Sequence, residues 1–249
     1  MEFGIIIIGD EILSGKRQDR HLGNTAAALG ERGLGLKWAR VIGDDAAQIT
    51  DTLTTTMAMK DTAVCCFGGI GATPDDLTRA CAAKAAGVPL TRHAEARAEI
   101  EARFGEGAYP HRILMADLPR DSRLIPNPYN RIPGFSIADH HFLPGFPQMA
   151  AAMVEWVLDT YYQDYFHATP RSERTLFIRG VFESQLLEAM QATLRHHPGL
   201  HLSSLPTLDE AEPVIELSLS GEAKDVDAGI EEFTTALAAS GLSWNEPAD

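Results

Sequence analysis

The chain is poor in the features that would place it in several common classes. It holds three cysteines in 249 residues, none in Cys-x-x-Cys spacing, which gives no basis for a structural zinc or a dithiol redox centre. Cys65 and Cys66 are adjacent on an expected strand, where successive side chains face opposite ways, and Cys81 falls on the helix that follows; all three read as small buried apolar residues. No apolar run approaches the roughly 18 residues needed to cross a bilayer, so no membrane partner is expected. The opening Met1-Glu2-Phe3-Gly4 lacks the basic segment of a secretory leader, and a cytoplasmic location is expected. Positive charge is scarce as well: 21 Lys and Arg stand against 35 Asp and Glu, a net charge of −14. Residues 173 to 249 alone hold 14 acidic and 4 basic side chains. Binding a nucleic-acid backbone draws on clustered Lys and Arg, so nucleic acid is not expected as a partner, and the acidic tail reads as solvated surface. Ser14, Thr73 and Thr78 lie near glycine-rich segments, but no Gly-x-Ser-x-Gly elbow or paired base accompanies them.

What is present is a glycine-rich segment in a telling place. Gly68-Gly69-Ile70-Gly71-Ala72-Thr73-Pro74-Asp75-Asp76 follows the apolar run Thr62 to Phe67, which reads as a buried strand, and precedes Leu77 to Ala86, which reads as a helix. Such a turn lets backbone N–H groups approach an anion, and the helix N-terminus adds partial positive charge. Asp75 and Asp76 would repel bare phosphate, so the loop suggests a phosphorylated ligand bearing hydroxyls or accompanied by a metal ion. A second explanation stands beside this one. Thr73-x-x-Asp76 with Pro74 at the first helical position fits a capping box, leaving Asp75 and the three glycines unexplained.

Around this loop the pattern alternates. Gly4 to Ile8 is a continuous β-branched run, expected of a strand covered on both faces in a parallel sheet. Leu22, Ala26 and Leu29 recur at helical spacing, closed by Gly30 and Gly33. Leu36 to Ile42 reads as a second strand, and Asp45 can cap a helix whose Ile49, Leu53 and Met57 share a face. Strands separated by helices imply right-handed crossovers and a parallel sheet, with ligands at the carboxyl ends of the strands. Gly9-Asp10-Glu11, Gly43-Asp44 and Gly68 to Asp76 all fall at that edge.

Residues 104 to 147, rich in Pro, Gly and Arg, read as short strands joined by irregular loops. Gln148 to Tyr162 reads as a helix with Met149, Met153, Trp156 and Val157 on one side, a core stripe. Gln163 to Ser172 reads as a linker. The order then changes to strand (Thr175 to Gly180), helix (Ser184 to His196), strand (His201 to Ser204), strand (Val214 to Leu219) and helix (Lys224 to Ser240), which suits a small α+β domain. The adjacent pairs His140-His141 and His196-His197 are expected to point in different directions and to serve structure, the second pair at a helix end.

The segment Gly68 to Thr78 resembles the Gly-Gly-x-Gly-Pro-Thr-x-Asp-Asp-x-Thr signature of the molybdopterin-binding (MoaB/Mog-like) domain family, in the form found in CinA-like (competence-damage-inducible) proteins. Three further segments match in order: Gly9-Asp10-Glu11-Ile12-Leu13-Ser14-Gly15; Val41-Ile42-Gly43-Asp44-Asp45; and Pro133-Gly134-Phe135 followed by Leu143-Pro144-Gly145-Phe146-Pro147-Gln148-Met149. Ala72 replaces the family's usual proline, and His21 stands where asparagine is common. The resemblance implies an α/β domain over residues 1 to 165, a three-layer structure with a mostly parallel sheet, followed by a small α+β domain over 173 to 249. It implies a molybdopterin or nucleotide as ligand, handled as a homodimer or homotrimer, with Pro144 and Gly145 closing over it. Relatives have been linked to hydrolysis of ADP-ribose, to hydrolysis of FAD, and to molybdopterin and its adenylylated form.

The expected ligand-binding set is therefore Gly9, Asp10, Glu11, Gly43, Asp44, Gly68, Gly69, Gly71, Thr73, Pro144 and Gly145. Lacking an activated nucleophile, a hydrolase here would use metal-activated water, with Asp10, Asp44, Asp75 and Asp76 holding a magnesium-like cation and Asp75 and Asp76 catalytic. Two readings stay open: a metal-dependent nucleotide pyrophosphatase or cofactor-assembly enzyme, and a binding protein without turnover.

Overall fold

From the start of the chain the elements run β1 (Glu2–Ile8), α1 (Asp10–Leu13), α2 (His21–Gly30), β2 (Leu36–Ile42), α3 (Ala46–Met57), β3 (Thr62–Phe67), α4 (Thr78–Ala85), β4 (Leu90–Arg92), α5 (Ala94–Phe104), β5 (Asp117–Pro119), β6 (Arg123–Ile125), β7 (Gly134–Ile137), β8 (His140–Leu143) and α6 (Pro147–Tyr161). They continue with β9 (Arg171–Arg179), α7 (Glu183–His196), β10 (His201–Pro206), β11 (Val214–Glu222), α8 (Ala223–Ala239) and β12 (Trp244–Asn245). The computed structural model describes residues 1–167, 171–207 and 213–247; part of the expected linker, residues 168–170, lies outside them. The chain divides into two compact units, Met1–Phe166 and His167–Asp249.

The first unit is a three-layer α/β structure around a six-stranded sheet of order β2-β1-β3-β8-β7-β6. β2, β1, β3 and β8 run parallel, β7 pairs antiparallel with β8, and β6 pairs antiparallel with β7. β1 beyond Glu2 and all of β3 are buried, as uncharged runs must be when both sheet faces are covered. Alternation divides each strand between two cores. Ile6, Ile8, Val64 and Cys66 pack with Ile49 and Leu53 of α3, Cys81 and Ala82 of α4, and Ala96 and Ile100 of α5. Phe3, Ile5, Ile7, Ala63 and Cys65 pack on the other side with Leu29 of α2 and Met153, Val154, Val157 and Leu158 of α6. The two neighbouring cysteines thus enter different cores, and burial pushes the Cys65 thiol up to about 12.

Asp45 caps α3 as its sequence suggests, accepting from the Gln48 N–H at 2.8 Å, and Ile49 and Leu53 are fully buried. α2 departs from expectation. Its inward face carries His21, Thr25, Ala28 and Leu29, while Leu22 is 44% exposed; the stripe is rotated by about one residue because His21, a polar side chain, occupies an inward position. α5 lies where no helix was expected: His93 caps it and only Ala96 and Ile100 are buried, so its apolar stripe is too thin to stand out of the charged run.

β8 places two histidines inside the first unit. His140 Nε2 meets the Thr56 hydroxyl at 2.8 Å, and its Nδ1 meets the Ala138 carbonyl at 2.9 Å. His141, on the other face, bridges the Ser136 hydroxyl at 2.8 Å and the Tyr162 hydroxyl at 2.7 Å.

The second unit is α+β: a sheet of order β10-β11-β9-β12, antiparallel throughout, with Leu176, Ile178, Leu217 and Leu219 packed against Leu186 and Met190 of α7 and Val226, Ile230 and Phe233 of α8. Here His196 and His197 correct an expectation. Rather than diverging, both rings reach one carboxylate, Glu232 on α8, at 2.9 and 3.2 Å, because a chain leaving its helix at His197 is no longer bound by helical side-chain directions. β12 was also unforeseen; two residues carry no readable pattern.

Candidate functional site

The carboxyl ends of β1, β2, β3 and β8 open onto a cavity of about 350 Å³, within the range of small-molecule sites. Of the residues expected to form a site, Gly9, Glu11, Asp44, Gly68, Gly69, Gly71, Thr73, Asp75, Asp76, Pro144 and Gly145 line it, together with Arg17, Ile70 and Phe146. Asp10 and Gly43 lie beside this cavity rather than on its wall.

The glycine loop is built around one side chain. Asp76 Oδ1 accepts from the Gly71 N–H at 2.8 Å, while Oδ2 accepts from the Thr73 N–H at 2.8 Å and the Thr73 hydroxyl at 2.6 Å. The carboxylate therefore fills the nest of N–H groups that an incoming phosphate was expected to use. The Thr73 N–H to Asp76 bond is the reciprocal half of the expected capping box, but it closes a turn rather than a helix start: the Asp76 N–H donates to the Thr73 carbonyl at 3.0 Å, and α4 begins only at Thr78, with Leu77 at its N-cap position. Two glycines owe their place to this arrangement. A Cβ on Gly71 would lie 2.5 Å from Asp76 Oδ2, and Gly69, at φ +65°, would drive one into the Thr78 hydroxyl.

The back of the loop is held by Arg79. Its guanidinium, 8% exposed, donates to the carbonyls of Gly71 at 2.8 Å, Leu114 at 2.5 Å and Asp117 at 2.9 Å, joining the loop to the segment that leads into β5. Burial lowers its pKa, opposed by the charges of Asp76 and Asp117.

Asp10 and Asp44 lock two strand ends together. The Asp10 N–H donates to Asp44 Oδ2 at 3.0 Å, and the Asp44 N–H donates to Asp10 Oδ1 at 3.2 Å. Burial raises the Asp44 pKa, and the negative charges of Asp10, Glu11 and Asp75 push it further in the same direction. Those four carboxylates thus share one field, with Arg17 the cationic side chain on the cavity wall. Among the described residues no three His, Cys, Asp or Glu side chains stand in the geometry for a single ion. The donor chemistry nonetheless fits a hard cation, since the set is all oxygen and short of positive charge.

Amide capacity remains at the front of the loop. The N–H groups of Gly69, Ile70 and Ala72 have no acceptor among the described residues. Opposite them runs the Pro144–Phe146 turn, whose Phe146 is 57% exposed at the cavity mouth. His21 lies beneath this region: it is 5% exposed and stacks on Phe67 at 4.3 Å between ring centroids, and burial holds its pKa below the ordinary value, opposed by the Asp19 charge and the Gly145 backbone. Arg17 and Phe146 were not among the expected site residues. A cation three residues after the Gly9-Asp10-Glu11-Ile12-Leu13-Ser14 segment was the available signal for the first.

Because Asp76 serves the loop's own backbone, Asp76→Asn is expected to cost about 1 to 3 kcal/mol, more than a cap position that accepts either residue, since an NH₂ would then face a donor. Urea denaturation of both proteins checks this; a loss under about 0.5 kcal/mol would return Asp76 to a capping role.

Residues 4–163 match the family described as a probable molybdopterin binding domain. The chain is 33% identical over 196 residues to a CinA-like protein of Syntrophotalea carbinolica, covering 76% of this chain and 47% of that one. It is 32% identical over 228 residues to a CinA-like protein of Citrifermentans bemidjiense, covering 88% and 54%. The chain therefore spans about half the length of these curated relatives. Among solved structures it is similar to the protein CinA from Thermoplasma acidophilum, with a TM-score of 0.58 and 28% identity, covering 64% of this chain and 98% of that one. A domain match over most of the chain, together with this fold, means that the protein belongs to the molybdopterin-binding domain family and has CinA-like proteins among its relatives.

Proposed function

We propose that the first unit binds a phosphorylated heterocyclic ligand of the molybdopterin or nucleotide type at the carboxyl edge of its sheet. The observation that carries this reading is the pairing, in one cavity, of the unused amides of Gly69, Ile70 and Ala72 with the crowded carboxylates around Asp44. Amides take phosphate oxygens, and the carboxylates take ligand hydroxyls or a divalent cation. In this proposal Asp44 and Asp75 hold a magnesium-like ion, Arg17 offsets residual phosphate charge, and Phe146 covers the ring. When bound, the ion supplies charge neutralisation and an acidified water. The finer proposal is hydrolysis of a nucleotide pyrophosphate such as ADP-ribose or FAD, supported by the exposed carboxylate of Asp75 on the cavity wall. Assembly into a homodimer or homotrimer belongs to the same reading, since β2 and β6 are the sheet's two edges and have no further strand partner among the described residues.

A second reading, ligand binding without turnover, draws on the engaged oxygens of Asp10, Asp44 and Asp76. Incubation of the purified protein with ADP-ribose, FAD and adenylylated molybdopterin, with and without magnesium, separates the two. Metal-dependent product formation that drops at least a hundredfold in Asp75→Asn, at unchanged melting temperature, is expected of the hydrolase. Calorimetric binding with no product from any of the three would identify a binder, and neither binding nor product would overturn the ligand class.

A further inference from the structure

A concavity larger than the glycine-loop cavity lies elsewhere on the first unit. It is a groove of about 620 Å³ between α5, α6 and the segment from β6 to β7, and none of its lining residues belongs to the cavity described above. Pro126, Pro128 and Pro133 form one wall and Trp156 of α6 another. The wall is preformed. The Asn127 carbonyl accepts the Arg131 N–H at 2.9 Å, Asn127 Oδ1 accepts the Tyr129 N–H at 3.0 Å, and Asn130 Oδ1 accepts the Ile132 N–H at 2.9 Å. Trp156 is steadied by an edge-to-face contact with Tyr161, at 5.7 Å and 88°.

Within this apolar frame one polar group lacks a partner. Asn127 is 5% exposed and lines the groove. The Tyr129 N–H fixes which end of its carboxamide is oxygen. Its Nδ2 then has no acceptor among the described residues. A carboxamide NH₂ held in such a place asks for an acceptor from outside. The rim supplies charge. Glu99 pairs with Arg131 at 2.9 Å, whereas Glu95 has no cationic partner within salt-bridge distance among the described residues, which leaves the groove one negative charge in excess.

We propose that this groove is a second binding site, for a flat heteroaromatic amine whose ring acceptor meets Asn127 Nδ2, whose amino group meets Glu95 and whose face lies on Trp156. The volume suits one small molecule. A second protein chain is disfavoured as occupant, because three prolines lack the N–H groups that strand addition needs, and a flat apolar contact would leave Asn127 unpaired.

The test uses 2-aminopurine as probe, titrated into the full chain and followed at the indole N–H resonance of Trp156, assigned through Trp156→Phe. Saturable movement of that resonance is expected, weakened at least tenfold in Asn127→Asp, which keeps the acceptor for Tyr129 but loses the donor, and also in Glu95→Gln, which changes charge alone. Melting temperatures of the two variants within about a degree or two of the parent confirm that the wall is intact. No movement at millimolar probe, or equal affinity in parent and both variants, overturns the proposal. So does concentration-dependent movement of the same resonance without probe, which with light scattering would assign the groove to a contact between copies of this chain. Each result is read at Trp156, so it stands whether or not the glycine-loop cavity binds its own ligand.

Discussion

Arg79→Met is expected to cost about 3 to 5 kcal/mol of stability, the range seen when one partner of a buried, charge-assisted set is removed. Met keeps most of the apolar stem, so the loss is mainly polar. The carbonyls of Gly71, Leu114 and Asp117 all lose the guanidinium as donor, although that of Leu114 keeps the Asp117 N–H, and a buried acceptor left unpaired costs about 1 to 3 kcal/mol. The effect should reach the ligand site as well. The Gly71 carbonyl is part of the turn that presents the Gly69, Ile70 and Ala72 amides, so ligand affinity should fall by at least tenfold. Denaturant titration measures the first quantity and calorimetry the second. A stability loss below about 1 kcal/mol would mean that water replaces the guanidinium, and the brace would have to be abandoned.

Stability should also fall on mild acidification, between about pH 6.5 and pH 3, through the buried histidines. Burial, helped by the charges of His140 and Arg123, holds His141 down to about 3 against an ordinary 6.5. Burial lowers His140 and His21 as well. For each, the unfolded chain binds a proton that the folded chain refuses, so the stability is complete above about 6.5 and is lost as pH falls toward the folded value. At 1.36 kcal/mol per pH unit, His141 alone removes about 2 kcal/mol between pH 6.5 and pH 5. Carboxylates held low by partners, such as Glu232 beside His196 and His197 or Asp159 beside Arg32, act below that interval. Denaturant midpoints taken from pH 7.5 to 5 test this, and a flat profile would show that the rings are protonated in the folded state.

The parallel half of the first sheet was legible because its signals are local and strong. Ile5 to Ile8 and Val64 to Phe67 can be placed only between two apolar layers, and Asp45 announces its helix in one residue. What escaped depends on tertiary partners. His21 stood out only as a departure from a common asparagine, with Leu22 expected on the inward face, but stacking on the Phe67 ring places it inward and the buried stripe of the helix turns with it. The expected site residues gather mostly at one cavity, where the loop glycines suggested a phosphate cradle. The Thr73-x-x-Asp76 pattern did signal that Asp76 would reach back to the Thr73 N–H, but nothing local signalled its bond to the Gly71 N–H, or that Arg79, from the first turn of α4, would reach Leu114 and Asp117 some 35 and 38 residues ahead. α5 was missed because its charged residues outnumber its buried ones.

The place of β3 in the sheet bears on how the chain is made. On one side β3 pairs with β1, already synthesised; on the other it pairs with β8, and Phe67 meets Leu143. Leu143 lies 76 positions after Phe67, roughly 4 to 15 s of translation at about 5 to 20 residues per second. During that interval an uncharged, cysteine-bearing strand, Thr-Ala-Val-Cys-Cys-Phe, is left with an open edge as the nascent chain emerges, the kind of segment that templates pairing with a neighbouring polypeptide. Slow production at low temperature, or chaperone coexpression, should therefore raise the yield of correctly folded protein more than any change to the surface of the finished molecule.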